Sequence, residues 1–417
     1  MKRLGIFALT LLMLTATAQE TTVLTVGSFP SLSETTTALA EAYMEMNPDV
    51  TIEMQILEFG DYHNALTTSL ATGEGAPDVS AIEVGFIAKF VADGGLVDLS
   101  QPPFNAGEYT PLIADYAVAQ GTTADGRIVA MPTDLGPGVL YWRRDRFEEV
   151  GAEVSDVLGS WDDYIAFGKQ VTRDLDGDGA NDVFLIADAA DVYNAMIRTG
   201  LEEGQGIYFD SNGEVLVNTE RFYNAFAVAK EIRDAGLDAQ IGAWSNEWYQ
   251  AFKDGAVATQ MSGAWLRGQL ENWMAPETTG LWGAENLPGG SFSTWGGSFY
   301  AIPEQSDNKE LAWDFIKFMT TTEQAQLDSF ALIEAFPALK STWEDPIFQE
   351  EIPFLANQQA RLLFIDIIDN IQGTVTHPGD VVAQEIVTNA LSQVLNEDRP
   401  IEDALANAER LIQRRVR

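Results

Sequence analysis

The sequence contains no cysteine, only two histidines (His63 and His377), and 24 lysines and arginines against 63 aspartates and glutamates. Without cysteine there is no disulfide framework, no thiolate-ligated metal, no cysteine nucleophile and no lipidated cysteine to anchor the chain. Two isolated histidines leave no His-Glu-x-x-His metal motif, and neither a Gly-x-Ser-x-Gly elbow nor a Walker loop occurs. The net charge of −39 repels nucleic acid and anionic lipid, so neither is an expected partner. That charge is spread along the chain and reads as a solvated surface, not an acidic tail. Past the first residues, no apolar run is long enough to span a membrane, and a soluble protein is expected.

The amino terminus has the layout of a secretory signal peptide. Lys2 and Arg3 are followed by the apolar run Leu4–Leu14 and then by the small residues Ala16-Thr17-Ala18. Cleavage after Ala18 is expected, and with no lipid anchor a periplasm is the natural compartment. The remainder of the 417 residues is more than one core usually supports, so two domains are expected.

Local patterning then gives an α/β fold. Thr22–Val26 reads as a strand ending in the turn Gly27-Ser28-Phe29-Pro30. Leu39, Ala42, Tyr43 and Met46 recur at helical spacing, Asn47-Pro48 stops the helix, and Val50–Ile56 alternates as a second strand. Strand, helix, strand implies a parallel sheet covered by helices. Further helices are expected over Tyr62–Ala71 and Phe86–Ala92 and from Ser160, with Asp307/Glu310 and Thr321/Gln324 as caps of two more. A long amphipathic helix carrying Ile401, Leu405, Ala408, Leu411 and Ile412 ends the chain.

Nine short motifs follow one another along this framework. They begin with Gly73-Glu74-Gly75-Ala76-Pro77-Asp78-Val79 and Gly94-Gly95-Leu96-Val97-Asp98-Leu99, then Asp125-Gly126-Arg127 running to Met131-Pro132 and on to Leu140-Tyr141-Trp142. Trp161-Asp162-Asp163-Tyr164, Phe252–Ala258 and Ser262-Gly263-Ala264-Trp265 come next. Leu287-Pro288-Gly289-Gly290 with Gly296-Gly297 and Ala301-Ile302-Pro303, Lys309–Phe318, and Phe336-Pro337-Ala338 complete the series. Each alone marks an ordinary turn or helix start; in this order the chain resembles the family 1 extracellular solute-binding proteins of ABC importers, the group that includes maltose-binding proteins. The resemblance implies two α/β lobes joined by three crossings and closing on a ligand by a hinge. It places 19–131 plus 287–332 in one lobe and 132–286 plus 333–417 in the other, with importer permease subunits as partners, a monomeric state, no required cofactor and no catalysis.

A sugar offers apolar faces ringed by hydroxyls, so its binding site needs aromatics to stack and acids or amides to grip. Trp265, at the point where the resemblance implies a stacking aromatic, is the first candidate, against the alternative of a core tryptophan. Trp295 beside Gly296 lies in a loop where backbone can approach a ligand; Trp244 is either cleft-facing or helix-packing. Asp134 follows the Pro132-Thr133 crossing, and Glu83 and Phe29 follow strands, where ligands of α/β sheets sit. Arg267 is a candidate for bonding hydroxyls or neutralising an acid. The sparsity of Lys and Arg near these positions favours a small neutral ligand, a mono- or oligosaccharide.

One motif stands apart. Asp174, Asp176, Asp178 and Asp182, with Gly177, match the start of a calcium loop, but the closing position holds Leu185 instead of Glu. A structural calcium and a bare polar loop both remain open. Two other function classes are weighed: a secreted carbohydrate-active hydrolase, which needs a defined carboxylate pair, and a calcium-dependent adhesion module, which no repeat supports.

Overall fold

The computed structural model describes residues 21–123, 125–372 and 375–416; the signal-peptide reading of residues 1–18 lies outside them. Eight strands form the framework: β1 (Thr22–Ser28), β2 (Val50–Ile56), β3 (Val79–Glu83), β4 (Ala130–Arg143), β5 (Thr259–Gly263), β6 (Trp282–Glu285), β7 (Thr294–Ala301) and β8 (Phe336–Pro337). The order is β2-β1-β3-β7-β4-β5, with β6 and β8 also on β4. β1 runs parallel to β2 and β3, as the helix Pro30–Met46 between β1 and β2 requires; β7 runs antiparallel to both of its neighbours, β3 and β4.

β4 organises the molecule. Its first half pairs with β7, from Ala130 opposite Ala301 to Pro137 opposite Thr294. Its second half pairs with β5, from Gly138 opposite Gly263, and with β6, from Leu140 opposite Glu285. One strand thus passes from the first half of the molecule into the second, and β7 and β8 join it at the crossing, β8 opposite Asp134 and Leu135. Buried Gln326 holds the third crossing, its amide oxygen accepting from Ala338 N at 3.1 Å and its nitrogen donating to Met319 O at 2.8 Å.

Core and caps follow local chemistry. Leu24, Val26, Val79, Ala81 and Ile82 are fully buried, as alternating and all-apolar strands covered by helices should be. Asp78 of the Ala-Pro-Asp-Val motif accepts from Thr25 N and Oγ1, both at 2.8 Å, and from Ser306 Oγ at 2.6 Å, locking β1 beside β3. Ser160 caps the helix Trp161–Val171 by accepting from Asp163 N. Two caps differ from expectation. The helices Lys309–Thr321 and Glu323–Ile333 start after Asn308 and Thr322, each one residue later than the capping-box pattern places them, and neither has a side-chain cap bond. Asn308 instead turns inward to Asp78 and to Val23 O, so tertiary partners displace the local one. Two buried clusters result. One joins the first half to one face of the second-half sheet, and the other joins the opposite face to the helices Glu220–Asp234, Asp380–Glu397 and Ile401–Arg415.

Candidate functional site

A cleft of about 980 Å³ opens where the two halves meet at the crossing strands. The carboxyl ends of β1 and β3 deliver Phe29 and Glu83 to it, the crossing delivers Asp134, Trp295 and Gly296, and the second half delivers Trp244 and Trp265. Seven of the eight residues singled out from the sequence therefore line one cavity.

Arg267 is the correction. It does not line the cleft but lies 3% exposed, its guanidinium paired to Glu271 and Glu334. It follows Trp265 by two residues, on the opposite side of the turn that opens the helix Leu266–Gln269, and so faces the core at the third crossing. Its charge neutralises structural acids there.

Glu83 and Asp134 are neighbours by register. Ser298 of β7 lies opposite Glu83 of β3 on one side and opposite Asp134 of β4 on the other. Residues directly opposite in adjacent strands share a face of the sheet, so the two carboxylates flank one serine on the cleft side. Burial pushes Glu83 up to about 7, with Asp134 adding repulsion and Gly85 N, which donates to Oε2 at 2.7 Å, opposing it. Burial also pushes Asp134 up to about 6, in part offset by Ser298, and Asp134 Oδ2 has no partner. His63 seats Glu83 from behind. Its Nδ1 faces Phe59 O at 2.8 Å and its Nε2 faces Glu83 N at 3.2 Å, which fits a neutral ring donating from Nδ1 and accepting at Nε2. Burial lowers its pKa to about 4, consistent with that form.

The indoles form the other side. Trp265 Nε1 donates to Trp295 O at 2.9 Å, and the Trp265 ring lies nearly parallel to Trp244, 14° apart with centroids at 5.7 Å. Two glycines make this seat possible. A Cβ on Gly263 would stand 2.2 Å from both Trp265 Nε1 and Trp295 O, and one on Gly296, whose φ is +100°, would stand 2.8 Å from Trp265 Nε1. Gly296, a candidate for backbone approach to a ligand, thus lines the cleft and also makes room for the indole.

Sequence reading missed Asp191, Arg198, Tyr208, Gln260 and Asp380, all of which line the cleft. Buried Gln260 donates to Asp191 Oδ2 at 2.8 Å and accepts from Trp248 Nε1 at 3.4 Å. Burial raises Asp191 and Asp380 to about 7 each, and Asp380 Oδ1 has no partner. Arg198, the one basic residue among the described lining residues, sits 5.3 Å over the Trp295 ring and donates to Asn194 O at 2.7 Å. No local motif marks these positions.

This combination of apolar ring faces, unpaired carboxylate oxygens and amides in a cleft between halves is built to hold a small polyhydroxylated molecule. Residues 38–354 match the model described as "Bacterial extracellular solute-binding protein". The chain belongs to that family. Among relatives of this solute-binding protein, the arabinooligosaccharide-binding protein of Halalkalibacterium halodurans is 27% identical over 89% of this chain and 84% of its own. The lactose-binding protein of Rhizobium radiobacter is 26% identical over 66% of this chain and 65% of its own. A crystal structure described as extracellular solute-binding protein family 1 superposes with a TM-score of 0.82 at 26% identity, covering 94% of this chain and 99% of that one. The fold is also that of the sugar-binding protein MalE of Xanthomonas citri, with a TM-score of 0.76 at 19% identity over 94% and 97% of the two chains. The architecture is therefore the two-lobed α/β fold of this family.

The aspartate loop lies outside the cleft. Asp174, Asp176 and Asp182 each bring one carboxylate oxygen within 4.8 Å of the others, and Asp178 stays outside the group with its Oδ1 accepting from Ala180 N at 2.8 Å. Leu185, at the closing position, is fully buried and supplies no ligand.

Proposed function

We propose that this solute-binding protein captures a neutral saccharide in the interlobe cleft and delivers it, as a periplasmic monomer, to the permease subunits of an ABC importer. The observation that carries the reading is the pairing, in one cleft, of the Trp265 indole seated on Trp295 O with the Glu83–Ser298–Asp134 row. Indoles cover the apolar faces of a sugar ring, and carboxylates accept from its hydroxyls. The named ligands of the relatives, arabinooligosaccharide and lactose, support the same class. In this reading the segments 19–131 plus 287–332 and the remaining residues move as two lobes about the crossings. The protein binds without turning its ligand over.

Calorimetry on the purified chain tests it: one-to-one binding of a mono- or oligosaccharide is expected, with no product released on prolonged incubation. Trp265→Ala should weaken binding by about tenfold or more while leaving the far-UV spectrum unchanged. Turnover of the glycan, or full affinity in that variant, contradicts the reading. We also propose a structural calcium at Asp174, Asp176 and Asp182, since carboxylates at alternate positions can converge on one hard cation. Chelation should then lower the melting temperature without abolishing ligand binding, and an unchanged melting curve contradicts the metal.

A further inference from the structure

Of the ten tryptophans, only Trp244 and Trp273 are exposed, at 54% and 49%, and both line the cleft. Exposed indole is costly to leave in water, and two at one rim call for something that covers them. Each is held in place. Trp244 adopts a φ of +67°, a left-handed conformation that bulky side chains rarely take and that calls for a functional reason. That conformation lays its ring nearly parallel to Trp265, continuing the indole surface outward. Trp273 Nε1 donates to Gln269 Oε1 at 2.6 Å, and its ring meets Tyr249 edge-on at 5.0 Å.

The backbone beneath is irregular in a telling way. The helix Leu266–Gln269 passes directly into a π turn, Leu270–Met274. Single π turns recur at functional sites because the extra residue per turn re-aims side chains. Here Gln269, Asn272 and Trp273 all reach the cleft, while Leu270 and Met274 stay buried. An indole flanked by two amides is the chemistry that recognises a sugar, apolar on the ring face and hydrogen-bonding at its edge. An apolar protein-docking patch would not carry those amides. The cleft volume of about 980 Å³ also stands at the top of the ~300–1,000 Å³ range of small-molecule sites. A single sugar ring stacked at Trp265 leaves the mouth unfilled.

We propose that Trp244, Gln269, Asn272 and Trp273 form an outer subsite that holds the further units of a saccharide longer than a disaccharide, so that the cleft selects oligosaccharides by length. This inference rests on the saccharide reading above. The test uses calorimetry of the full chain and of the Trp273→Ala variant with arabino-, galacto- and malto-oligosaccharides of one to four units. In the parent chain, affinity should rise by about tenfold or more from disaccharide to tetrasaccharide in the series that binds. The Trp273→Ala variant should lose that gain while keeping its monosaccharide affinity within about twofold. Iodide quenching of tryptophan fluorescence provides a second readout on the unmodified protein: a tetrasaccharide should shield the exposed indoles and a monosaccharide should not. Affinity independent of length, a gain that survives the Trp273→Ala substitution, or equal shielding by both sugars overturns the outer subsite. In those outcomes saccharide binding that still depends on Trp265 leaves the proposed function standing. Failure of the parent chain to bind any of the sugars removes both.

Discussion

At the scale of single residues, position in the register decides what an acid does. Glu83 and Asp134 come from segments about fifty residues apart, yet both flank Ser298 because β7 is inserted between β3 and β4. Arg267 shows the converse, a charge near the stacking tryptophan in sequence that points into the core at Glu271 and Glu334. Breaking a buried pair by removing one partner costs about 3–5 kcal/mol when fully enclosed. Glu271 and Glu334 keep side-chain exposures of 34% and 20%, so solvent screening reduces that cost. Arg267→Ala should therefore lower the melting temperature by about 3–5 °C. Ligand affinity should stay within about threefold of the parent, since the side chain does not line the cleft. A large loss of affinity at unchanged stability would return Arg267 to the binding site.

Among elements, the meeting of β4, β5 and β7 does the positioning. Gly263 ends β5 opposite Gly138, and the missing Cβ is what lets Trp265 Nε1 reach Trp295 O across the crossing. Gly263→Ala places a methyl 2.2 Å from both atoms, which forces the indole off its seat. Its expected effect is a loss of saccharide affinity of about tenfold, comparable to deletion of the indole, with strand content unchanged by circular dichroism. Near-parent affinity would show that the indole position has little bearing on binding. The same junction explains why Gly296 carries φ +100°, a conformation in which any other residue would be strained.

Across the whole molecule, the acids of the cleft couple stability to pH. Burial holds Glu83, Asp191 and Asp380 up to about 7 and Asp134 up to about 6. In the unfolded chain such groups titrate near ~4. Between those values the folded chain holds protons that the unfolded chain has released, so stability falls as pH rises through the window and levels off above about 7. The net charge of −39 acts in the same direction, since self-repulsion grows as carboxylates ionise. The ligand-free protein should therefore melt at a lower temperature at pH 8 than at pH 5. Asp191→Asn, which keeps an acceptor for Gln260, should melt about 2 °C above the parent at pH 8 and close to it at pH 5. Parallel curves for the two proteins would show that Asp191 is ionised throughout.

The sequence by itself determined everything that depends on near neighbours. Alternation made Val50–Ile56 a strand, spacing of three and four made Pro30–Met46 and Ile401–Arg415 helices, and the order of motifs carried the family and its two-lobed α/β fold. Glu83 was legible as the end of a strand, where such a fold opens toward a ligand, and Trp265, Trp295 and Asp134 by their places beside glycines or the Pro132-Thr133 crossing, although Trp295 and Gly296 lie in β7 and not in the loop expected for them. Only the tertiary structure decided which side chains share the cleft. Asp191, Arg198, Tyr208 and Asp380 lie on segments with no signature of their own and come to line the same cleft as Glu83 through the crossing of β4 and the packing of the helix Asp380–Glu397 against Val84–Asp93. It likewise turned Arg267 inward, moved two helix starts by one residue, and aimed Trp273 at the cleft through a π turn. Local periodicity is set by steric and hydrophobic preferences within a few residues of one another. A cleft is made by pairing between strands far apart in the chain, and that pairing leaves no periodic trace along it.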